Sequence, residues 1–204
     1  MTEHRPDPSI CAAILAAGQS RRFGHADKLS QQLDGVMLGH HASHTAARLG
    51  CDHQVIITSE PNHLCAQGWT ARGFAVHVNP LAQQGMGTSV AMAAQIAADK
   101  DADALLICLA DMPLVTREHF QTLIDRFGQH GDDRVIASGN GTAALPPAIF
   151  GKRYFAELAN LDGQYGAKAL LAKAVMVAAP PAILIDIDTP DDLETARQLI
   201  KNPA

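Results

Sequence analysis

Short, continuous apolar runs, separated by longer mixed segments, set the strongest limit on how this 204-residue chain can fold. They are Ile10–Ala17 (ICAAILAA), Gln54–Thr58 (QVIIT), Phe74–Val78 (FAVHV), Ala104–Leu109 (ALLICL) and Arg134–Ser138 (RVIAS). Runs this short suit strands buried on both faces, the kind found in parallel sheets covered by helices. The intervening segments read as helices. One lies around Val36–Leu49, and Gly87–Ala98 is Ala-rich. Thr116–Phe127 places Phe120, Leu123, Ile124 and Phe127 on one helical face. A Gly/Pro-rich stretch spans Gly139–Gly151. Ile183–Ile187 (ILIDI) is strand-like and leads into Asp188-Thr189-Pro190-Asp191-Asp192-Leu193. There Thr189 suits the N-cap of a last helix to about Lys201, Pro190 its first position, and the two aspartates its first turn. Leu193, Ala196 and Ile200 would pack inward. Strand–helix alternation of this kind predicts βαβ units and a mostly parallel, doubly wound α/β sheet. In such sheets the ligand crevice lies beyond the carboxyl ends of the strands. That singles out the loops Gly18–Lys28 and Asp111–Pro113.

Sixteen Lys and Arg stand against 21 Asp and Glu, a formal charge of −5, with 47% apolar residues. The composition is that of one globular domain, expected over residues 8–201, rather than of a disordered chain. A net acidic chain has no global attraction for nucleic acid or an anionic membrane, so neither is an expected partner. A bound polyanion would need a local basic site. Cys11, Cys51, Cys65 and Cys108 are far apart, without metal-ligand spacing, and Cys11 and Cys108 read as buried small hydrophobes. The start is polar, no apolar stretch reaches membrane-span length, and a cytoplasmic location is expected.

Four segments could carry chemistry. Leu15-Ala16-Ala17-Gly18-Gln19-Ser20-Arg21-Arg22-Phe23-Gly24, with Lys28 following, runs a strand into a small-residue turn and three cations. Backbone amides there could cradle phosphate oxygens, and the cations could neutralise charge during transfer. It matches neither GxxxxGK[ST] nor GxGxxG, and an ordinary βα turn with solvated cations is the alternative. Asp111, in Leu109-Ala110-Asp111-Met112-Pro113, ends an apolar strand where a Mg²⁺ ligand would sit, or else caps a turn. Asp186 and Asp188 fall on one side of an extended segment, and either could complete a two-carboxylate site with Asp111. Asn79-Pro80-Leu81-Ala82-Gln83-Gln84-Gly85-Met86-Gly87-Thr88-Ser89 offers amides and hydroxyls at a helix start; capping by Thr88 or Ser89 is the plainer reading. His40 and His44 sit four apart on one candidate helix, but without an evident third zinc ligand.

Taken in order, L-A-A-G-x-S-x-R-F-G…K, N…G-M-G-x-S, L-A-D-M-P and D-x-D-T-P-x-D-L resemble the molybdenum cofactor nucleotidyltransferases, in particular the cytidylyltransferase branch. The resemblance runs from about Ile10 to Leu193. It implies a MobA-like NTP transferase domain, Rossmann-like and three-layered, of the nucleotide-diphospho-sugar transferase kind. The activity implied is Mg²⁺-dependent transfer of a nucleoside monophosphate to molybdopterin, with pyrophosphate released. By resemblance Leu15, Ala16, Ala17 and Gly18 contact base and ribose, and Arg21, Arg22 and Lys28 hold the triphosphate. Asn79, Gly85, Gly87 and Ser89 complete the nucleotide site. Asp111 binds Mg²⁺, with Asp188 as second ligand, and Arg22, Lys28 and Asp111 act in catalysis. Ala17-Gly18, in place of Gly-Gly, resembles the CTP-using rather than the GTP-using branch. A molybdoenzyme client is a further implied partner.

Departures from the family pattern fall in the acceptor half. Where the cytidylyltransferases carry a Gly-His-Pro-like turn, this chain has Thr142-Ala143-Ala144-Leu145-Pro146-Pro147. Their Gly-Asp-x-Gly-Ala-Arg segment is here Gly163-Gln164-Tyr165-Gly166-Ala167-Lys168. Loss of a carboxylate and exchange of Arg for Lys change charge and bidentate phosphate geometry. Two alternatives therefore stand beside the molybdopterin reading: a sugar phosphate or other small phosphorylated acceptor, and a non-catalytic chaperone that carries molybdenum cofactor.

Overall fold

The computed structural model describes residues 8–18, 23, 27–161, 163 and 166–202. Nine strands and seven α-helices follow in chain order: β1 (Ile10–Ala16), β2 (Gln32–Leu33), β3 (Val36–Met37), α1 (Leu38–Ala46), β4 (His53–Thr58), α2 (Ala66–Ala71), β5 (Ala75–Val78) and α3 (Met86–Asp99). Then come β6 (Ala104–Leu109), α4 (Arg117–His130), β7 (Val135–Gly139), β8 (Ala144–Gly151), α5 (Phe155–Ala159), α6 (Lys168–Leu171), β9 (Val175–Ala178) and α7 (Pro190–Lys201). The main sheet runs β5-β4-β1-β6-β8-β7-β9, and β2 and β3 form a separate hairpin. All pairs in the main sheet are parallel except those of β8, which is antiparallel to both β6 and β7.

The apolar runs are continuous because both faces of the sheet are covered. Ile10, Ala12, Ile14 and Ala16 of β1 face one core with Leu38, Ala42, Trp69, Phe120, Leu123 and Leu193. Cys11, Ala13 and Leu15 face a second core with Val90, Ala93, Ala94, Phe155 and Leu170. Helices α1, α2, α4 and α7 thus lie on one side and α3, α5 and α6 on the other, a three-layer arrangement. Cys11 and Cys108 are fully buried, as expected of small hydrophobes, and all four cysteines are free thiols. Among the described residues no helix is long and apolar enough to cross a membrane.

Three expectations are corrected. The Gly139–Gly151 stretch holds a full strand, β8. Its ladder with β6 covers Ala148–Gly151, and opposite β7 the register shifts at Ala137/Ser138, so that Pro146 and Pro147 fall in the irregularity. Prolines lack the donor a regular ladder needs and are confined to such bulges or edges. Ile183–Ile187 is not a strand. Pro181–Leu184 forms a 3-10 turn, and the segment meets the sheet through one backbone bond, Ile187 N–H to Asp111 O, at 2.9 Å. The outer strand is instead β9, parallel to β7. Helix α1 also starts later than expected, because Val36 and Met37 pair in the hairpin. Helix α7 begins as read: Thr189 and Asp192 form a reciprocal capping box with Pro190 in the first turn.

The bulge is pinned from behind. Ser138 Oγ donates to Pro147 O at 2.8 Å, so its oxygen accepts from His119 Nε2–H, also at 2.8 Å. Burial lowers the His119 pKa, and the ring is neutral in the native protein. Acidification through the ordinary imidazole range, about 6.5, protonates the unfolded chain first. Stability should therefore be fully present above that range and fall as pH drops through it. Thermal denaturation between pH 7.5 and 5 should show this slope, reduced in His119→Phe. Ser138→Ala, which leaves both partners unsatisfied, should cost about 1–3 kcal/mol at neutral pH.

Candidate active site

The carboxyl ends of β1 and β6 lie side by side, since Leu15 pairs with Leu109. Gly18 follows one and Asp111 the other, and Ala110 N–H bonds to Leu15 O at 3.0 Å. Above them opens a cavity of about 340 Å³ lined by Leu15, Ala17, Gly18, Ala82, Gln83, Gly85, Met86, Ser89, Leu109 and Asp111. A larger hollow of about 830 Å³ lies at the amino ends of the same strands, lined by Ile10, Asp52 and Asp103. Size does not decide between them. Only the smaller one gathers the loops that end βα strands, where such sheets hold ligands.

Lys28 points into this end of the sheet. Its Nζ lies 2.6 Å from Asp111 Oδ2 and 3.2 Å from Asp188 Oδ1. The residue opens a 3-10 turn (Lys28–Ser30) capped by Asp27, whose carboxylate accepts from Leu29 N and Ser30 N. Asp27 is met from behind by His63 Nε2 at 3.4 Å, and His63 Nδ1 accepts from Cys65 N–H. The His63 ring stacks on buried Trp69 at 4.8 Å, and the indole N–H is held by Gly39 O. A chain of packed and bonded groups thus fixes the backbone of Lys28.

Burial alone would weaken the Lys28 ammonium, but the Asp111 and Asp188 carboxylates outweigh it and raise its pKa, so the cation persists. Asp111 is raised chiefly by burial, against the pull of Lys28 and with a further push from Asp186. Asp111 Oδ1 is buried without a hydrogen-bond partner among the described residues. An orphaned carboxylate oxygen beside a second carboxylate is a hard-oxygen donor set suited to a divalent cation. No group of three or more His, Cys, Asp or Glu able to hold a metal occurs among the described residues. A cation here would draw on Asp111, Asp188 and oxygens brought by a ligand, the mode Mg²⁺ favours.

The second wall comes from the turn into α3. Asn79 is buried and lies beneath this turn rather than in the cavity lining. Its Nδ2 donates to Thr88 Oγ1 (2.9 Å) and Ser89 Oγ (3.0 Å), while Oδ1 accepts from Leu81 N. Asn79 thus shapes the site without lining it. Gly85 and Ser89 line the cavity, whereas Ala16 and Gly87 stand outside its lining. Thr88 and Ser89 sit inside the helix rather than at its cap, which is Gly85. Arg21, Arg22 and Gln164 lie outside the described residues. Two histidines of α1 bond to backbone carbonyls: His40 Nε2 meets Cys65 O and His41 Nε2 meets Leu33 O.

Several contributors were not read from the sequence. Asp27, directly before Lys28-Leu29-Ser30, carried an N-cap signal that was available. Gly163 matches the first Gly of the family's Gly-Asp-x-Gly-Ala-Arg segment, but its contact partner exists only in three dimensions. A Cβ on Gly163 would run into Gln84 O, and one on Gly85 into Gly163 O. Gly85 also has φ +124°, which side chains rarely adopt. Gly163 is thereby pressed backbone to backbone on the turn into α3.

Fold and site together define a nucleotide-handling α/β domain. The sequence profile of the MobA-like NTP transferase domain matches residues 12–179, and the chain belongs to this family of nucleotidyltransferases. The chain is 30% identical over 205 residues to the purine catabolism protein PucB of Bacillus subtilis, covering 94% of this chain and 97% of that one. A nucleotidyl transferase from Methanothermobacter thermautotrophicus shares the fold, with a TM-score of 0.78, 19% identity, and coverage of 95% and 99% of the two chains. So does Rv0371c from Mycobacterium tuberculosis in complex with manganese, with a TM-score of 0.65, 19% identity, and coverage of 95% and 99%.

Gly85→Ala and Gly163→Ala should each destabilise the protein by about 1–3 kcal/mol through overpacking. Urea denaturation checks this against Gly18→Ala, whose Cβ meets nothing within 4 Å and should leave stability unchanged.

Proposed function

We propose that the protein transfers CMP from CTP to a molybdopterin-type acceptor in a Mg²⁺-dependent reaction that releases pyrophosphate. The observation that carries this reading is the meeting of Lys28 and Asp188 on Asp111, which itself lines a cavity walled by Gly18 and by the turn into α3. Among the described residues the site sets one cation, Lys28, against Asp111, Asp186 and Asp188. A triphosphate could not settle beside three carboxylates without further positive charge. Bound between Asp111 and Asp188, Mg²⁺ would supply that charge and stabilise what develops on the phosphoryl oxygens.

The chain's own groups do the rest. The Leu15–Gly18 backbone and the turn at Gly85–Ser89 hold base and ribose in the cavity. Lys28, with Arg21 and Arg22 from the same loop, neutralises the triphosphate. An acceptor phosphate oxygen attacks the α-phosphorus, and the bond from it to the bridging oxygen of the β-phosphate breaks. Pyrophosphate leaves carrying that oxygen. The attacking oxygen is already ionised near neutral pH, so no general base is required, and in-line positioning with charge stabilisation supplies the rate. The lean to CTP rests on Ala17-Gly18, and molybdopterin rests on the four ordered motifs. A cytoplasmic location and a molybdoenzyme client belong to the same proposal.

The altered acceptor half favours one second reading: the same donor chemistry with a sugar phosphate or other small phosphorylated acceptor. Pro146-Pro147 and Gln164 stand where the family pattern carries His and Asp. A non-catalytic carrier of molybdenum cofactor fits less well, because it has no use for the orphaned Asp111 oxygen beside Asp188.

Purified protein with Mg²⁺, labelled CTP and molybdopterin should give labelled product and pyrophosphate. Asp111→Asn should lower the rate by about 10²-fold or more. Gly18→Ala should weaken CTP binding by about tenfold without loss of stability, because the ligand must approach that backbone closely. Absence of turnover with molybdopterin and every NTP would remove the molybdopterin reading, and an acceptor screen by pyrophosphate release would then decide the second.

A further inference from the structure

The ammonium of Lys28 sits on both of the carboxylates that would hold a divalent cation, at 2.6 Å from Asp111 and 3.2 Å from Asp188. We infer that Lys28 and the divalent cation exchange on these carboxylates, so that the cation enters together with the triphosphate and not ahead of it. The inference rests on the nucleotidyltransferase reading above and adds the order of events at that site.

Three observations carry it. The first is steric and electrostatic. A Mg²⁺ ion bonds its oxygens at about 2.1 Å, and an ammonium left on the same carboxylate would face it across a few ångströms with like charge. The ammonium holds one oxygen of each carboxylate, Asp111 Oδ2 and Asp188 Oδ1, and a divalent cation drawing on the same pair works against that hold. The second is mechanical. The Asp27 cap, backed by His63 and Trp69, pins the Lys28 backbone, while the side chain is a flexible four-carbon stem. The ammonium can leave Asp111 without any movement of the turn. The third is the incomplete donor set. Among the described residues no third His, Cys, Asp or Glu joins Asp111 and Asp188 to make a protein cage. Water and the ligand supply the remaining oxygens, and a triphosphate brings charged ones while offering the displaced ammonium a new anionic partner. Lys28 thus compensates the buried Asp111 until a nucleotide brings both a replacement cation and a replacement anion.

Opposite effects on metal and nucleotide follow from changing Lys28. The probe is Mn²⁺ alone, titrated at pH 8 into the nucleotide-free full chain and followed by the electron paramagnetic resonance of free Mn²⁺. Wild-type protein should bind it weakly, in about the millimolar range. Lys28→Met and Lys28→Gln should bind it about tenfold tighter or more, at one site lost on adding Asp111→Asn. Lys28→Arg, which keeps the charge, should match wild type. The two neutral variants should at the same time bind CTP·Mg²⁺ more weakly.

Neutral variants that bind Mn²⁺ no tighter than wild type overturn the inference. Micromolar Mn²⁺ binding by nucleotide-free wild type overturns it too, and needs no variant, so a folding defect cannot hide the answer. Either result alongside tight CTP·Mg²⁺ binding by wild type leaves the proposed function standing. Failure of wild type to bind any nucleotide with either metal overturns that function instead, whatever the Mn²⁺ titrations give.

Discussion

The Lys28 ammonium ties together parts of the chain that are 83 and 160 residues apart, through Asp111 and Asp188. Around that junction the remaining elements find their purpose. The β1–β6 pair brings Gly18 and Asp111 to the same level. The segment before α7 crosses the end of β6 through Ile187 N–H and Asp111 O, which carries Asp188 to Lys28. The capping box of Thr189 and Asp192 then fixes where that segment stops and the helix begins. Burial of charge is costly unless it is paired, so these contacts hold only if all three segments arrive in register.

How much of this could be read from sequence depends on where each signal lives. Ala104–Leu109 was delimited to the residue because a strand covered on both faces must be apolar throughout. Helix α7 was legible because Thr189, Pro190 and Asp192 are local cap chemistry. The pairing of Asp111 with Lys28 was foreseen only as two roles at one site. Their ion pair depends on a sheet order that no local pattern encodes. Strand β8 was missed because Pro146 and Pro147 speak against a ladder, and the bulge that accommodates them is a property of β7 as well. ILIDI misled for the opposite reason. Its apolar run is real, but Pro180 and Pro181 start a turn, and the apolar residues pack into a core without pairing in the sheet. Gly163 stands in a family segment, but what it touches is visible only when both partners of the close backbone approach are in place.

On the proposed reading, the donor and acceptor sides of the molecule differ in how they are built. The donor side is formed by the ends of parallel strands, with small residues at Ala17 and Gly18 and the turn at Gly85–Ser89. The acceptor side rests on the antiparallel β8, its prolines and the buried bonds from His119 through Ser138 to Pro147. Gly163 presses on Gly85 and joins the two. A family can therefore keep its nucleotide chemistry while the acceptor wall changes, and the departures from the molybdenum cofactor pattern fall on that wall.

The central claim is that a triphosphate and its cation meet at the Lys28–Asp111–Asp188 junction. Its most direct test is anomalous diffraction from crystals grown with Mn²⁺ and a non-hydrolysable CTP analogue. The account predicts an anomalous peak between Asp111 and Asp188, bonded to phosphate oxygens, with the Lys28 ammonium moved onto the triphosphate and the base in the cavity beside Gly18. A nucleotide bound at the amino ends of the strands, or a metal site that leaves the Lys28–Asp111 pair intact, would contradict it.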